Sequence, residues 1–106
     1  MLFRSHLIAD HGKQRLFHVD GPANSPDAGQ RRLALEHMLR RYPHCQLIGS
    51  TQGILSVRSG ELAGESLLVR HRTALPDAVV CANDQMAIGV LRAFAADAPA
   101  ARMATL

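Results

Sequence analysis

Six histidines, two cysteines and an Asn83-Asp84 pair are the side chains of this 106-residue chain whose types and placement admit chemistry. Metal binding is the first chemistry to weigh. His6 and His11 share one expected helix and His37 and His44 flank the end of another, yet neither spacing is the i, i+4 pair that ligates zinc from one helix face. No metal site is expected. His18 falls inside an expected strand, as a hydrogen-bonded interior or edge residue. Cys45 and Cys81 form no C-x-x-C pair and no disulfide framework, so both read as small buried apolar residues. For nucleophilic catalysis the chain lacks a Gly-x-Ser-x-Gly elbow, and no acid, histidine and nucleophile can be placed together. Gly21-Pro22 is not followed by a glycine-rich phosphate cradle. We expect no catalysis.

Asn83 and Asp84 remain, and their setting is informative. Ala78, Val79, Val80 and Cys81 form a short apolar run, bounded by Pro76-Asp77 before and Asn83-Asp84 after, as in a strand buried on both faces. Met86, Ala87, Val90, Leu91, Phe94 and Ala95 then recur at helical spacing. Either Asn83 or Asp84 caps that helix, since the side-chain oxygen of either can accept from first-turn amides. A carboxylate there also complements the helix dipole. Asp84 therefore stands at the carboxyl end of a parallel strand, the edge at which open α/β sheets bind ligands. A plain helix cap is the alternative reading.

The elements that must position this pair follow from the rest of the chain. Residues 2 to 11 have helical spacing, with Gly12 available to end the helix. Residues 15 to 20 read as a strand, stopped by Gly21-Pro22 and followed by a loop. Ser25-Pro26-Asp27 starts a helix: serine caps, proline needs no amide partner at the first position, and aspartate favours the dipole. Leu35, Met38, Leu39 and Tyr42 give that helix its apolar side to about Arg41, and Pro43 ends it. Cys45 to Gly49 form a second strand, STQGIL a loop, and Val57 to about His71 a helix. Gly60, Ala63 and Gly64 there imply close approach to another element, since each glycine costs about 1 kcal/mol in a helix relative to alanine. Arg102 to Leu106 resemble the start of a fourth strand.

Helices and strands thus alternate, which predicts a three-layer α/β/α domain with a short parallel sheet and right-handed crossovers. The loops around Asn24, Gly53 and Asn83 must open on one sheet edge, and a site on this domain is built from them. The length fits one domain over residues 1–106, burying roughly two thirds of its unfolded surface. A net charge of +3, spread over helices, is too mild for a nucleic-acid face. No stretch approaches the roughly 20 apolar residues of a membrane span, and the first residues lack the apolar core of a secretory signal.

PDAVV followed by ANDQMAIG at residues 82 to 89, HLIADHGKQRL at residues 6 to 16, the Gly21-Pro22 turn and Arg31 at its distance after that turn together carry a family pattern. The chain resembles the C-terminal lobe of the ligand-binding domain of lactose-repressor/galactose-repressor transcriptional regulators, and is similar to periplasmic sugar-binding proteins of the same fold. The resemblance implies one lobe of a periplasmic-binding-protein-like domain, partner of a second lobe and of a DNA-binding headpiece that lie outside these residues. It implies a sugar, polyol or nucleobase effector held between lobes, no cofactor, a homodimer, and contact with DNA only through the headpiece.

The resemblance matches Arg31 to an arginine that hydrogen-bonds the effector and Asp84 to an acid that accepts from sugar hydroxyls. It places Asn24, Ser25, Asp27 and Asn83 in the flanking loops. The residue types suit a polyol, because a guanidinium offers several donors in a plane and a carboxylate accepts two hydroxyl hydrogens. Otherwise Arg31 is one more cation on a solvated face shared with Arg32, Arg40 and Arg41. Leu55 stands where many members carry an aromatic ring, and His11-Gly12-Lys13 replaces the commoner Gly-His order. Met86, Leu91 and Phe94 match a helix that forms a subunit interface in the family; packing on their own sheet is the alternative. A periplasmic sugar-binding component of a transporter, or a sensor module fused to a signalling enzyme, would share the same site.

Overall fold

The computed structural model of the chain describes residues 14–97. The helix expected at residues 2 to 11, with His6 and His11, and the fourth strand expected from Arg102 lie outside the described residues. Six elements alternate: β1 (Gln14–Asp20), α1 (Pro26–Arg41), β2 (Cys45–Gln52), α2 (Val57–Arg70), β3 (Ala78–Cys81) and α3 (Asp84–Ala95). The three strands are parallel in the order β2-β1-β3.

That order fixes the layers. The chain steps from β1 to β2 in one direction and from β2 back across β1 to β3 in the other, and right-handed crossovers in opposite directions lay their helices on opposite faces. Alternation along β1 shows the result. Leu16 packs with Ala78, Val80, Cys45 and Leu35 on the α1 face, while Phe17 and Val19 pack with Val79, Cys81, Leu67, Met86, Val90 and Phe94 on the face covered by α2 and α3. Both cysteines are buried thiols, not joined to each other.

Local signals set the helix ends. Ser25 caps α1 by accepting from Ala28 N at 3.3 Å, with Pro26 at the first helical position. Ser56 and Ser59 form a reciprocal capping box on α2. Asn83, rather than Asp84, caps α3, accepting from Met86 N at 2.9 Å.

Two boundaries differ from the sequence reading. β2 continues past Gly49 to Gln52, because Ser50, Thr51 and Gln52 pair with His18, Val19 and Asp20 of β1. As an edge strand it tolerates polar residues that a central strand would not. α2 ends at Arg70, with His71 as its cap.

Glycines let α2 and α3 touch backbone to backbone. A Cβ on Gly60 would meet Met86 Cα at 2.7 Å, one on Gly64 would meet Ala93 Cβ at 2.8 Å, and one on Gly89 would meet Glu61 N at 2.5 Å. The close approach expected of Gly60, Ala63 and Gly64 is therefore made to α3.

Candidate functional site

All three strands point their carboxyl ends to one edge, and the loops expected around Asn24, Gly53 and Asn83 lie there. The connections after β1 and β3 part to opposite faces, so the gap between them is the topological switch point of the sheet. A crevice of about 340 Å³ occupies it, lined by Asp27, Gln30 and Arg31 of α1 and by Ala82, Asn83, Asp84 and Gln85 leading into α3. The volume lies at the small end of the ~300–1,000 Å³ usual for small-molecule sites.

Each wall is positioned by interactions at its base. Asp20, the last residue of β1, receives a two-pronged hydrogen bond from Arg32, with Nε–Oδ2 at 2.9 Å and Nη2–Oδ1 at 3.0 Å. Gly21 N donates to the same carboxylate at 2.8 Å. This fork ties α1 to the strand end, one residue away from Arg31. Burial works to raise the Asp20 pKa, but the Arg32 hydrogen bond, the charge of His18 and the Gly21 amide together hold it below the ordinary carboxylate value.

Asn83 does the corresponding work on the other wall. Its Oδ1 caps α3, and its Nδ2 donates to Leu55 O at 2.9 Å, joining the β2–α2 loop to the start of α3. Leu55 has φ of 67°, the left-handed region, and is the one described non-glycine residue with positive φ. The Asn83 amide holds the carbonyl of that turn in place.

The crevice brings together Asp27, Arg31, Asn83 and Asp84 from the expected set and leaves out three others. Asn24 is exposed in the turn after β1, and Ser25 spends its hydroxyl on the α1 cap. Leu55 is partly buried against the core, and its side chain leans over Gly21, where a Cβ would meet Leu55 Cδ2 at 2.7 Å. Gln30 and Gln85 were missed by the sequence reading. Their one signal was adjacency to Arg31 and Asp84. Asp27, Arg31, Asp84 and both glutamines are exposed, while Asn83 is partly buried. A guanidinium, two carboxylates and three amides present both donors and acceptors. Among the described residues no cluster of three His, Cys, Asp or Glu could hold a metal ion.

Two expectations need correction. Met86 and Phe94 are fully buried in the core between α2, α3 and the sheet, so neither can reach a partner. The reason is the glycine-mediated approach of α2, which consumes that stripe of α3; Leu91 is half-buried and Ile88 is 45 % exposed. His18 is buried as expected, but its Nε2 has no hydrogen-bond partner and lies 3.9 Å from Asp20 Oδ1. The Asp20 carboxylate is committed to Arg32. Desolvation lowers the His18 pKa below its ordinary value, outweighing the attraction of Asp20.

No family model matches the chain, and neither does any curated protein. Solved structures do. A dimeric Lac repressor is 31% identical with a TM-score of 0.72, over 88% of this chain and 33% of the repressor chain. The periplasmic binding protein component of the arabinose ABC transporter from Shewanella sp. ANA-3, bound to α- and β-L-arabinofuranose, has a TM-score of 0.79 at 20% identity, over 88% of this chain and 31% of that one. This chain is one lobe of a periplasmic-binding-protein-like fold. An ABC transporter solute binding protein from Actinobacillus succinogenes 130z, with bound D-allose, agrees with a TM-score of 0.77 at 20% identity over 92% of this chain and 34% of its own. The lobe spans about a third of the length of each of these proteins. They are sugar-binding proteins and a repressor, and no helix among the described residues is long and apolar enough to cross a membrane.

Proposed function

We propose that the lobe contributes half of a small-molecule site, and that the protein is the effector-sensing part of a transcriptional regulator of the lactose-repressor type. The observation that carries this reading is the switch-point crevice, in which Asp27, Arg31, Asn83 and Asp84 meet from two different elements. Asp84 accepts from ligand hydroxyls, Arg31 donates to ligand oxygens, and Gln30 and Gln85 supply groups of either kind. A second lobe closing over the same edge would bury the ligand. Closure then biases the attached domains, because a ligand shifts an equilibrium only by its differential affinity for the two arrangements. In this reading the protein is cytoplasmic, without catalytic activity, and acts on DNA through a separate headpiece. Its homodimer contact uses Leu91 with neighbouring Ile88.

Identity favours the regulator, at 31% for the Lac repressor against 20% for the transporter components. The second reading, a periplasmic sugar-binding component, shares the same fold, with TM-scores of 0.79 and 0.77. The test is a thermal-shift screen of sugars, polyols and nucleobases on the full-length parent protein, repeated with Asp84→Asn and Arg31→Ala. A stabilising ligand lost in both folded variants is the expected result. A ligand whose shift survives both changes places the site elsewhere. Operator binding that changes with the ligand separates the regulator from the transporter component.

A further inference from the structure

One buried side-chain polar atom among the described residues has no hydrogen-bond partner, Nε2 of His18. Buried polar groups are paired in the great majority of cases, so an orphan in the central strand calls for a reason. Leu16, His18 and Asp20 share the α1 face of β1, since alternate strand residues point the same way. Leu16 clusters with Leu35 of α1, and Asp20 receives the Arg32 fork from the same helix. His18 sits between these two attachments. Oδ1 of Asp20 already accepts from Gly21 N at 2.8 Å and from Arg32 Nη2 at 3.0 Å, and His18 Nε2 stands 3.9 Å from that same oxygen. Three nitrogens thus converge on one carboxylate oxygen, and two of them are bonded to it. Among the described residues the charged groups that act on His18 are Asp20 on its own strand and Arg32 on α1. Its neighbours across the sheet, Ser50 of β2 and Val80 of β3, carry no charge.

We propose that His18 is a positioning residue for the α1 wall of the crevice: uncharged, it leaves Asp20 to Arg32, and protonated, it draws Oδ1 away from Arg32 and loosens the start of α1. The proposal rests on the small-molecule site proposed above and adds its regulation by protons. A buried imidazolium has no water to solvate it and needs a carboxylate in contact. Asp20 is the carboxylate within reach, and closing 3.9 Å to a charge-assisted bond of about 2.8 Å takes a movement of about 1 Å. The new cation also repels the Arg32 guanidinium. Both effects act against the fork that fixes α1 to the end of β1, and Arg31, which lines the crevice, is the adjacent residue of that helix. Burial sets where this happens. Desolvation keeps His18 uncharged at neutral pH, and Asp20, held below the ordinary carboxylate value, is still ionised when His18 takes its proton. Effector affinity therefore falls as pH drops through the His18 transition, and by linkage a bound effector makes His18 harder to protonate.

The test is an NMR titration of the isotope-labelled 106-residue chain from about pH 8 to about pH 4.5, above the ordinary carboxylate range. It follows the His18 ring, the Arg32 Nε–H and the backbone amides of Asp27 and Arg31. No effector is added, so the outcome is independent of the sugar screen that tests the site itself. His18 is expected to titrate below 6.5. At the same midpoint the Arg32 Nε–H should lose at least about tenfold of its protection from exchange, the equivalent of one charge-assisted hydrogen bond, and the Asp27 and Arg31 amides should move with it. In His18→Gln and His18→Leu the Arg32 Nε–H should stay protected over the whole range, while the other histidines titrate as before. Protection of Arg32 that persists while His18 titrates overturns the proposal, and so does its loss at the same pH in either variant. A His18 midpoint at or above 6.5, or a His18 that takes up no proton in this range, overturns it as well. The wild-type comparison of His18 with Arg32 decides by itself if neither variant folds.

Discussion

Gly60→Ala tests how the α3 wall of the crevice is held. A Cβ at residue 60 would lie 2.7 Å from Met86 Cα and 2.8 Å from Met86 C, and it would also strike Met86 O. Carbon atoms in good contact sit about 3.5 Å apart, so the shortfall at Met86 Cα is about 0.8 Å. Every obstructing atom belongs to the backbone, so no rotamer change relieves the clash, and α3 must move away from α2. Overpacking of this kind costs about 1–3 kcal/mol. Alanine returns only about 0.5–1 kcal/mol through helix propensity. Gly29→Ala provides the control. It makes the same change in the interior of α1, where the nearest atom to a new Cβ is Arg32 Nη1 at 4.0 Å. There the propensity gain should stand alone and stabilise the protein by about 0.5–1 kcal/mol. The two variants should therefore lie about 2 kcal/mol apart with opposite signs. Urea unfolding followed by circular dichroism measures this, and at a slope of about 1–3 kcal/mol/M the midpoints separate by about 1 M. If Gly60→Ala unfolds at or above the Gly29→Ala midpoint, the backbone contact between α2 and α3 is not as described, and Asp84 is not held by it.

Other outcomes follow from the same geometry. His18 has a pKa depressed by burial, so the unfolded chain binds its proton first and stability falls as pH drops below about 6.5. His18→Leu should remove that loss and also the unpaired Nε2; unfolding at pH 7.5 and pH 5.5 checks it, and an unchanged pH dependence would place the sensitive group elsewhere. Burial pushes the Cys81 thiol up to about 12, so at pH 8 iodoacetamide should modify it only as fast as the chain opens. Prompt labelling of the native protein would contradict its burial. Asn83→Ala loses both the α3 cap and the bond to Leu55 O, whereas Asn83→Asp keeps an acceptor for Met86 N. Loss of the cap costs about 0.5–2 kcal/mol, so alanine should be the more damaging change in thermal unfolding.

Much of the architecture was legible in the sequence because it is set by neighbours along the chain. Ser25-Pro26-Asp27 starts α1, and Ala78 to Cys81 form a strand buried on both faces. Asn83 caps the helix after that strand, and small residues in α2 announced a close packing partner. These depend on periodicity, cap chemistry and side-chain size, which act over a few residues.

The sheet order was a different matter. Alternating elements require a parallel sheet, but only the folded chain put β1 between β2 and β3 and so made a crevice between α1 and α3. That placement decided which residues meet. Arg32 reaches Asp20 across a helix start, Asn83 reaches Leu55 across 28 positions, and Gln30 and Gln85 join Arg31 and Asp84 at the crevice. It also decided against Met86 and Phe94 as surface residues. An apolar stripe shows that a helix face must be buried but not by what, and here the partner was α2, brought into backbone contact through glycines far apart in the chain.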